Sequence, residues 1–312
     1  MAKDQSNFYV LLSIAFFITS CSLRSVRSTT PPKMGVVIKS DEQKPFDSVT
    51  TEKNKEVQAS VGNSNPPVAA TSQPSAVLPK FGFLFSGGGA KAWAHIGVLK
   101  ELQKLKWPVS AVGGFEWGAV VAATFAENLS ANEVEWEMSK LKDFDKWDQF
   151  IKAAYPRKMT ADLKVPFVCA SLNIAKQAIY LLNRGQLDQL LPFCLPAPGI
   201  INPINQSVAV MTDLTSLAQH LRATGATKII LINVLAQATK HSFLKDFESS
   251  DNILWAQSAA LMAKKPSGID EVIEINLDNF GIKDLDKRRE IVAKGSELSY
   301  PQLKKLAEKY GL

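Results

Sequence analysis

Residues 114–118 read Gly-Phe-Glu-Trp-Gly, a Gly-x-Ser-x-Gly pattern with glutamate where the serine would stand. Such a pattern makes a nucleophile elbow. A tight turn between a strand and a helix lifts its central side chain above the sheet, with small residues on either side because the backbone crowds there. The surroundings fit, since Val109 to Val112 reads as a short strand and Ala119 to Glu127 as a helix. With serine at the centre, the chemistry would be acyl transfer. With Glu116 two outcomes are open. A carboxylate is a nucleophile in glycosidases and phosphoryl-transfer ATPases, but against an ester it would form an anhydride with no partner to assist. The other outcome is electrostatic: the helix dipole and free N–H groups favour a negative charge at a helix N-terminus. The carboxylate is then expected to fold over a nearby glycine loop, Gly87 to Gly89, and to fill its anion site from within.

That loop, Ser86-Gly-Gly-Gly-Ala-Lys91, lies between the apolar run Phe81 to Phe85 and an amphipathic helical stretch from Trp93 to Leu105. Three glycines let backbone N–H groups converge on an anion without obstruction by Cβ, and an oxyanion needs fixed donors of this kind. Taken alone, a strand, three glycines and a helix also suit a phosphate loop or a plain turn. No Gly-Lys-Ser/Thr follows, so it is not a Walker loop.

In combination these segments are more specific. Ser86-Gly-Gly-Gly-Ala-Lys-Ala-Trp-Ala-His-Ile-Gly-Val-Leu99 followed by Val112-Gly-Gly-Phe-Glu-Trp-Gly-Ala-Val-Val-Ala-Ala123 resembles the patatin-like phospholipase family. So do Val165-Pro-Phe-Val-Cys-Ala-Ser171 and Ala197-Pro-Gly-Ile-Ile-Asn-Pro203, and Thr227 to Leu235 looks like the strand that follows the family's acid motif. The resemblance runs from about Lys80 to the C-terminus. It implies a patatin-like three-layer α/β/α sandwich with a mostly parallel central sheet, and a Ser–Asp dyad that cleaves acyl esters of lipids. No cofactor and no metal are expected. Gly87, Gly88 and Gly89 match the oxyanion loop and Lys91 its basic position, while the glycine usual at the next position is Ala92. Gly114 and Gly118 frame the elbow, and Glu116 replaces its serine.

The dyad's aspartate is harder to place, because the stretch from Pro203 to Gly225 is short for the family. Alignment backwards from Gly225 puts Ala209 at the acid position, and alignment forwards from Pro203 puts Asp213 there. Ala209 is favoured, since the preceding hairpin is where length varies. Asp213 then stands just ahead of a helix near Thr215 and Ser216. No glycine follows in either case, so the acid motif is lost.

Other groups are expected to be structural. Ser86 and Ser110 fall on strand ends, not at the elbow tip. Cys169 lies in an apolar run and reads as a small buried hydrophobe. Cys194 lies near a proline-rich turn, and a disulfide between the two is permitted without being indicated. His95, His220 and His241 follow no triad or zinc spacing. Trp93, Trp107 and Trp117 are close in sequence to the elbow and loop; Trp117 either packs or partly fills an acyl channel.

The amino terminus carries a second signal. Lys3, an apolar run from Phe8 to Ile18 and then Ile18-Thr-Ser-Cys21 read as a signal peptide over residues 1–20. Its ending resembles a bacterial lipobox, which implies lipidation of Cys21 and, with Ser22 next, a cell-envelope location at the outer membrane, facing periplasm or exterior. Residues 21–79 are rich in Ser, Thr, Pro, Asn and Lys, bury too little apolar surface to offset chain entropy, and read as a disordered tether. Residues 80–312 suffice for one patatin-like domain. A net charge of +6 raises nucleic acid as a partner, but no basic patch interleaved with aromatics supports it; attraction to an anionic membrane surface fits better. Expected partners are the membrane, a lipid or fatty-acyl ligand, and an active paralogous lipase. Two functional readings remain: a pseudoenzyme lipoprotein that keeps the fold for binding, or a lipid acyl hydrolase working through altered residues.

Overall fold

A computed structural model describes residues 78–209, 214–236 and 249–312. The expected signal peptide, nearly all of the tether, Cys21, Asp213 and His241 lie outside the described residues. In chain order the elements are β1 (Phe81–Phe85), α1 (Ala94–Lys104), β2 (Val109–Gly114), α2 (Trp117–Asn128), α3 (Ala131–Met138), α4 (Trp147–Ala154), β3 (Phe167–Asn173) and β4 (Ala178–Leu182). They continue with α5 (Leu187–Leu190), β5 (Ser207–Ala209), α6 (Thr215–Ala223), β6 (Lys228–Ala236), α7 (Ser249–Ala263), β7 (Glu271–Asn276) and α8 (Arg288–Tyr310).

The strands form one seven-stranded sheet in the order β4-β3-β2-β1-β6-β7, with β5 pairing β3. The pairs β1–β2, β1–β6, β2–β3 and β6–β7 are parallel, and β4 and β5 run antiparallel to β3. Side chains alternate across the sheet with the period of two that a strand imposes. Phe81, Phe83 and Phe85 of β1 and Ile230, Ile232 and Val234 of β6 join the core beneath α1, α2 and α8. Leu84, Ile229, Leu231 and Leu235 join the opposite core with Leu217 and Leu221 of α6 and Trp255 and Met262 of α7. Both faces are covered, which is why the central strands read as continuous apolar runs.

Two neighbouring parallel strands end on the same edge of a sheet, and the segments that follow them meet there. The glycine loop after β1 and the turn after β2 are therefore brought side by side by topology. The helical stretch expected from Trp93 starts as a 3-10 turn over Gly89–Trp93 before α1 proper. The charged C-terminal segment forms α8, which packs on α1 and β7. The crossing with α1 is tight: a Cβ on Gly295 would stand 2.1 Å from the Ala94 carbonyl oxygen, and one on Gly97 2.2 Å from that of Val292.

Candidate functional site

The elbow is built from backbone outward. Gly114 ends β2, Phe115 N–H donates to the Phe85 carbonyl at 3.3 Å, and Glu116 N–H donates to the Cys194 carbonyl at 2.9 Å. The Glu116 carbonyl then accepts from Ala119 N–H at 2.9 Å and opens α2. Glu116 caps that helix at φ 53°, ψ −138°. A non-glycine residue held there stores roughly 1–3 kcal/mol of backbone strain, the signature of a sharp strand-to-helix bend. Gly118 has to be small, because a Cβ would stand 2.3 Å from the Phe85 carbonyl oxygen.

The Glu116 side chain turns onto the glycine loop. Its Oε2 accepts from Gly88 N–H at 2.8 Å and from Gly89 N–H at 3.1 Å. Gly89 presents its N–H from φ 55°, and a Cβ on it would stand 2.3 Å from the Ile282 carbonyl oxygen. Gly87 leaves room for the glutamate, since a Cβ there would stand 2.8 Å from that of Glu116. The residue is fully buried. Burial pushes its carboxyl up to about 7, against the downward pull of the N–H groups of Gly88, Trp117 and Gly89.

The neighbouring polar groups are held by the fold. Ser86 Oγ accepts from Val234 N–H at 3.0 Å, and Ser110 Oγ donates to the Phe81 carbonyl at 2.9 Å. His95 is fully buried; its Nε2 donates to the Ser86 carbonyl at 2.7 Å, which fixes the tautomer, and burial lowers its pKa to about 4. Lys91 is buried as well. Trp117 packs against Trp93, Phe144 and Phe150 in the core, so of its two expected roles it takes packing.

Cys169 and Cys194 are joined in a disulfide with a Cα separation of 6.1 Å. Cys169 stands opposite Gly114 in the β2–β3 register, and Cys194 supplies the carbonyl on which Glu116 hangs. The bridge therefore spans the elbow. Cysteine spacing alone could not reveal it; the proximity follows from β3 lying beside β2.

Ala209, the favoured acid position, ends β5. That strand pairs with the far half of β3 (Ser171 opposite Ala209), and Ala209 N–H donates to the Pro196 carbonyl at 2.8 Å. The segment from Cys194 to Pro196 thus touches the elbow at one end and the acid position at the other. A cavity of about 570 Å³ opens beside it, walled by Leu172, Ile174, Ile179, Pro196, Ala197, Val208, Ala209 and Leu254. Among the described residues that line it are neither Glu116 nor Gly87–Gly89.

A model of the patatin-like phospholipase family matches residues 83–251, more than half of the chain. The chain belongs to the patatin-like phospholipase family. It is 26% identical over 200 residues to patatin-like phospholipase domain-containing protein 6 of Mus musculus, a match covering 55% of this chain and 15% of that protein. It is 22% identical over 178 residues to the lysophospholipase nte1 of Aspergillus fumigatus, covering 49% of this chain and 12% of the relative. The chain thus spans less than a sixth of the length of these curated relatives. Among solved structures, VipD from Legionella pneumophila aligns with a TM-score of 0.41 at 11% identity, over 73% of this chain and 67% of that one.

Proposed function

We propose that this chain is a pseudoenzyme of the patatin-like family, one that has traded ester hydrolysis for binding and is held at a bacterial envelope through lipidated Cys21. The observation that carries the reading is the Glu116 carboxylate on the N–H groups of Gly88 and Gly89. In an acyl hydrolase those donors stabilise the oxyanion of the transition state, and losing one costs roughly 10²–10³ in rate. Here both are committed to a side chain of the same molecule. Glu116 stands where the attacking serine would, it is sealed from solvent, and a methyl group, that of Ala209, takes the place of the favoured acid. The glycines and the elbow act as a closed internal joint. The apolar cavity beside β5 falls within the size range of small-molecule sites and would take a lipid chain. A disulfide in the folded domain suits an oxidising compartment, in keeping with export.

Acetate titrated into the full chain tests the joint directly. The expected result is acetate binding by Glu116→Ala, whose two N–H donors are freed, and none by the wild type. Equal weak binding by both would defeat the proposal.

A further inference from the structure

The side of α7 that faces water is as apolar as the side that faces the sheet. Trp255, Ala259 and Met262 are buried in the core below it, whereas Ile253, Leu254 and Leu261 are 57%, 49% and 51% exposed. Around them stand Ala256, Gln257 and Ala260, with no acidic side chain from Ile253 onward, and the helix runs out into Lys264 and Lys265. A surface helix ordinarily carries charge on that side, and large aliphatic side chains gathered in one exposed patch mark a contact site.

The patch continues beyond the helix. Across the cavity from Leu254, the β3–β4 turn presents Ile174, also half exposed, followed by the exposed Lys176. The mouth of the cavity is thus rimmed by protruding aliphatic groups with a lysine beyond them on each side. Lys265 is held at the domain edge by donating to the Asp270 carbonyl, and among the described residues that line the cavity the one acid, Asp251, is partly buried.

Four half-exposed aliphatic side chains fall well short of the roughly 800 Å² per partner that a stable protein interface buries. They do suit shallow insertion at a lipid surface, where apolar groups enter the acyl boundary and lysines meet anionic headgroups. We infer that this face docks on an anionic bilayer, with Ile174, Ile253, Leu254 and Leu261 among the acyl chains and Lys176 and Lys264 at the phosphates. The cavity then opens into the lipid phase, so that a chain passes into it without crossing water. The docking does not depend on Glu116 being inert, and its test reads no hydrolysis.

The test uses the full chain carrying Cys21→Ser, so that no acyl anchor is attached, mixed with vesicles of phosphatidylcholine alone or enriched in phosphatidylglycerol. Hydrogen exchange locates the contact whatever other segment also binds. On phosphatidylglycerol vesicles, exchange in α7 and in the turn around Ile174 slows about tenfold. On neutral vesicles the slowing is at least tenfold weaker in lipid titration, two lysines contributing about 1 kcal/mol each. The double variant Ile253→Ser/Leu261→Ser, both at exposed positions and so expected to fold, loses the protection while keeping the wild-type melting curve. Protection unchanged in that variant overturns the inference, as does equal protection on neutral vesicles. So does a wild-type dimer in light scattering that the same variant dissolves.

Discussion

Glu116 and His95 are both fully buried, and burial moves their proton affinities in opposite senses. The Glu116 carboxyl rises from 4.5 to about 7. The folded state therefore holds its proton more tightly than the unfolded chain, so its stabilising contribution is complete below pH 4.5 and is lost as pH rises through 7. His95 falls from 6.5 to about 4, so its contribution is complete above pH 6.5 and is lost as pH falls through 4. Each shift corresponds to about 3 kcal/mol. The two opposing slopes offset each other between pH 4.5 and 6.5. In urea unfolding followed across pH, Glu116→Gln removes one slope, so its stability relative to wild type rises by about 3 kcal/mol from pH 4.5 to pH 7. His95→Gln does the reverse, losing stability relative to wild type as pH rises from 4 to 6.5. A flat difference curve for Glu116→Gln would mean that the carboxyl is not held in the buried cradle. The glutamate and the three glycines stood out in the sequence because residue type and spacing were enough to mark them. The sequence led only to the expectation that the carboxylate folds over Gly87 to Gly89; the particular bonds, Oε2 to Gly88 and Gly89, depend on how β1 and β2 lie together.

The element scale shows where local sequence was sufficient and where it was not. The apolar runs Phe81–Phe85, Val109–Val112, Pro166–Ser171, Ala178–Leu182, Ile229–Val234 and Val272–Ile275 mark strands in the sequence: β1 and β4 match theirs residue for residue, β2, β6 and β7 reach one or two residues beyond, and β3 begins one residue later and ends two later, because strands buried on both faces announce themselves. β5 is three residues long and gives no periodicity to find; it exists because β3 offers it an edge once β2 has turned into the elbow. α7 was missed for a related reason: apolar on both sides, it lacks the alternation of faces by which an amphipathic helix is recognised. The disulfide is a fact of topology in the same way. Closing a loop with a sequence separation of 25, it contributes about 3.5 kcal/mol on the chain-entropy account. The double variant Cys169→Ser/Cys194→Ser should lose about that amount in denaturant titration, and reductant should have no further effect on it. The α1–α8 crossing makes a sharper demand. Gly295→Val places methyl groups against the Ala94 carbonyl, which 2.1 Å already excludes for a Cβ. Its unfolding midpoint should fall by an amount equivalent to about 3 kcal/mol or more; a smaller loss would mean that the helices are not in contact there.

Taken whole, the molecule is a patatin-like fold whose elbow and glycine loop are buried, while a separate apolar cavity opens beside β5. Fold class was legible from alternating strand and helix signals, and family from motif order. The cavity was not, because its walls come from β3, β4, β5, the proline-rich segment and α7, which are far apart along the chain. No helix among the described residues is long and apolar enough to cross a membrane. An apolar site of this size next to a lipid phase should retain its occupant through purification. Mass spectrometry of a solvent extract of the full chain is expected to find a lipid bearing an acyl chain at near-stoichiometric amount, and Ala209→Trp, which fills the cavity wall, should reduce it at least tenfold.

On the proposed function, the closure of the cradle by Glu116 is what denies an ester its place there. It is tested most directly by hydrolysis of a short-chain p-nitrophenyl ester and of a lysophospholipid by the full chain, wild type and Glu116→Gln side by side. Both should release product at the rate of the protein-free control. Turnover by the wild type that Glu116→Gln abolishes would contradict it, and would make the glutamate a working nucleophile.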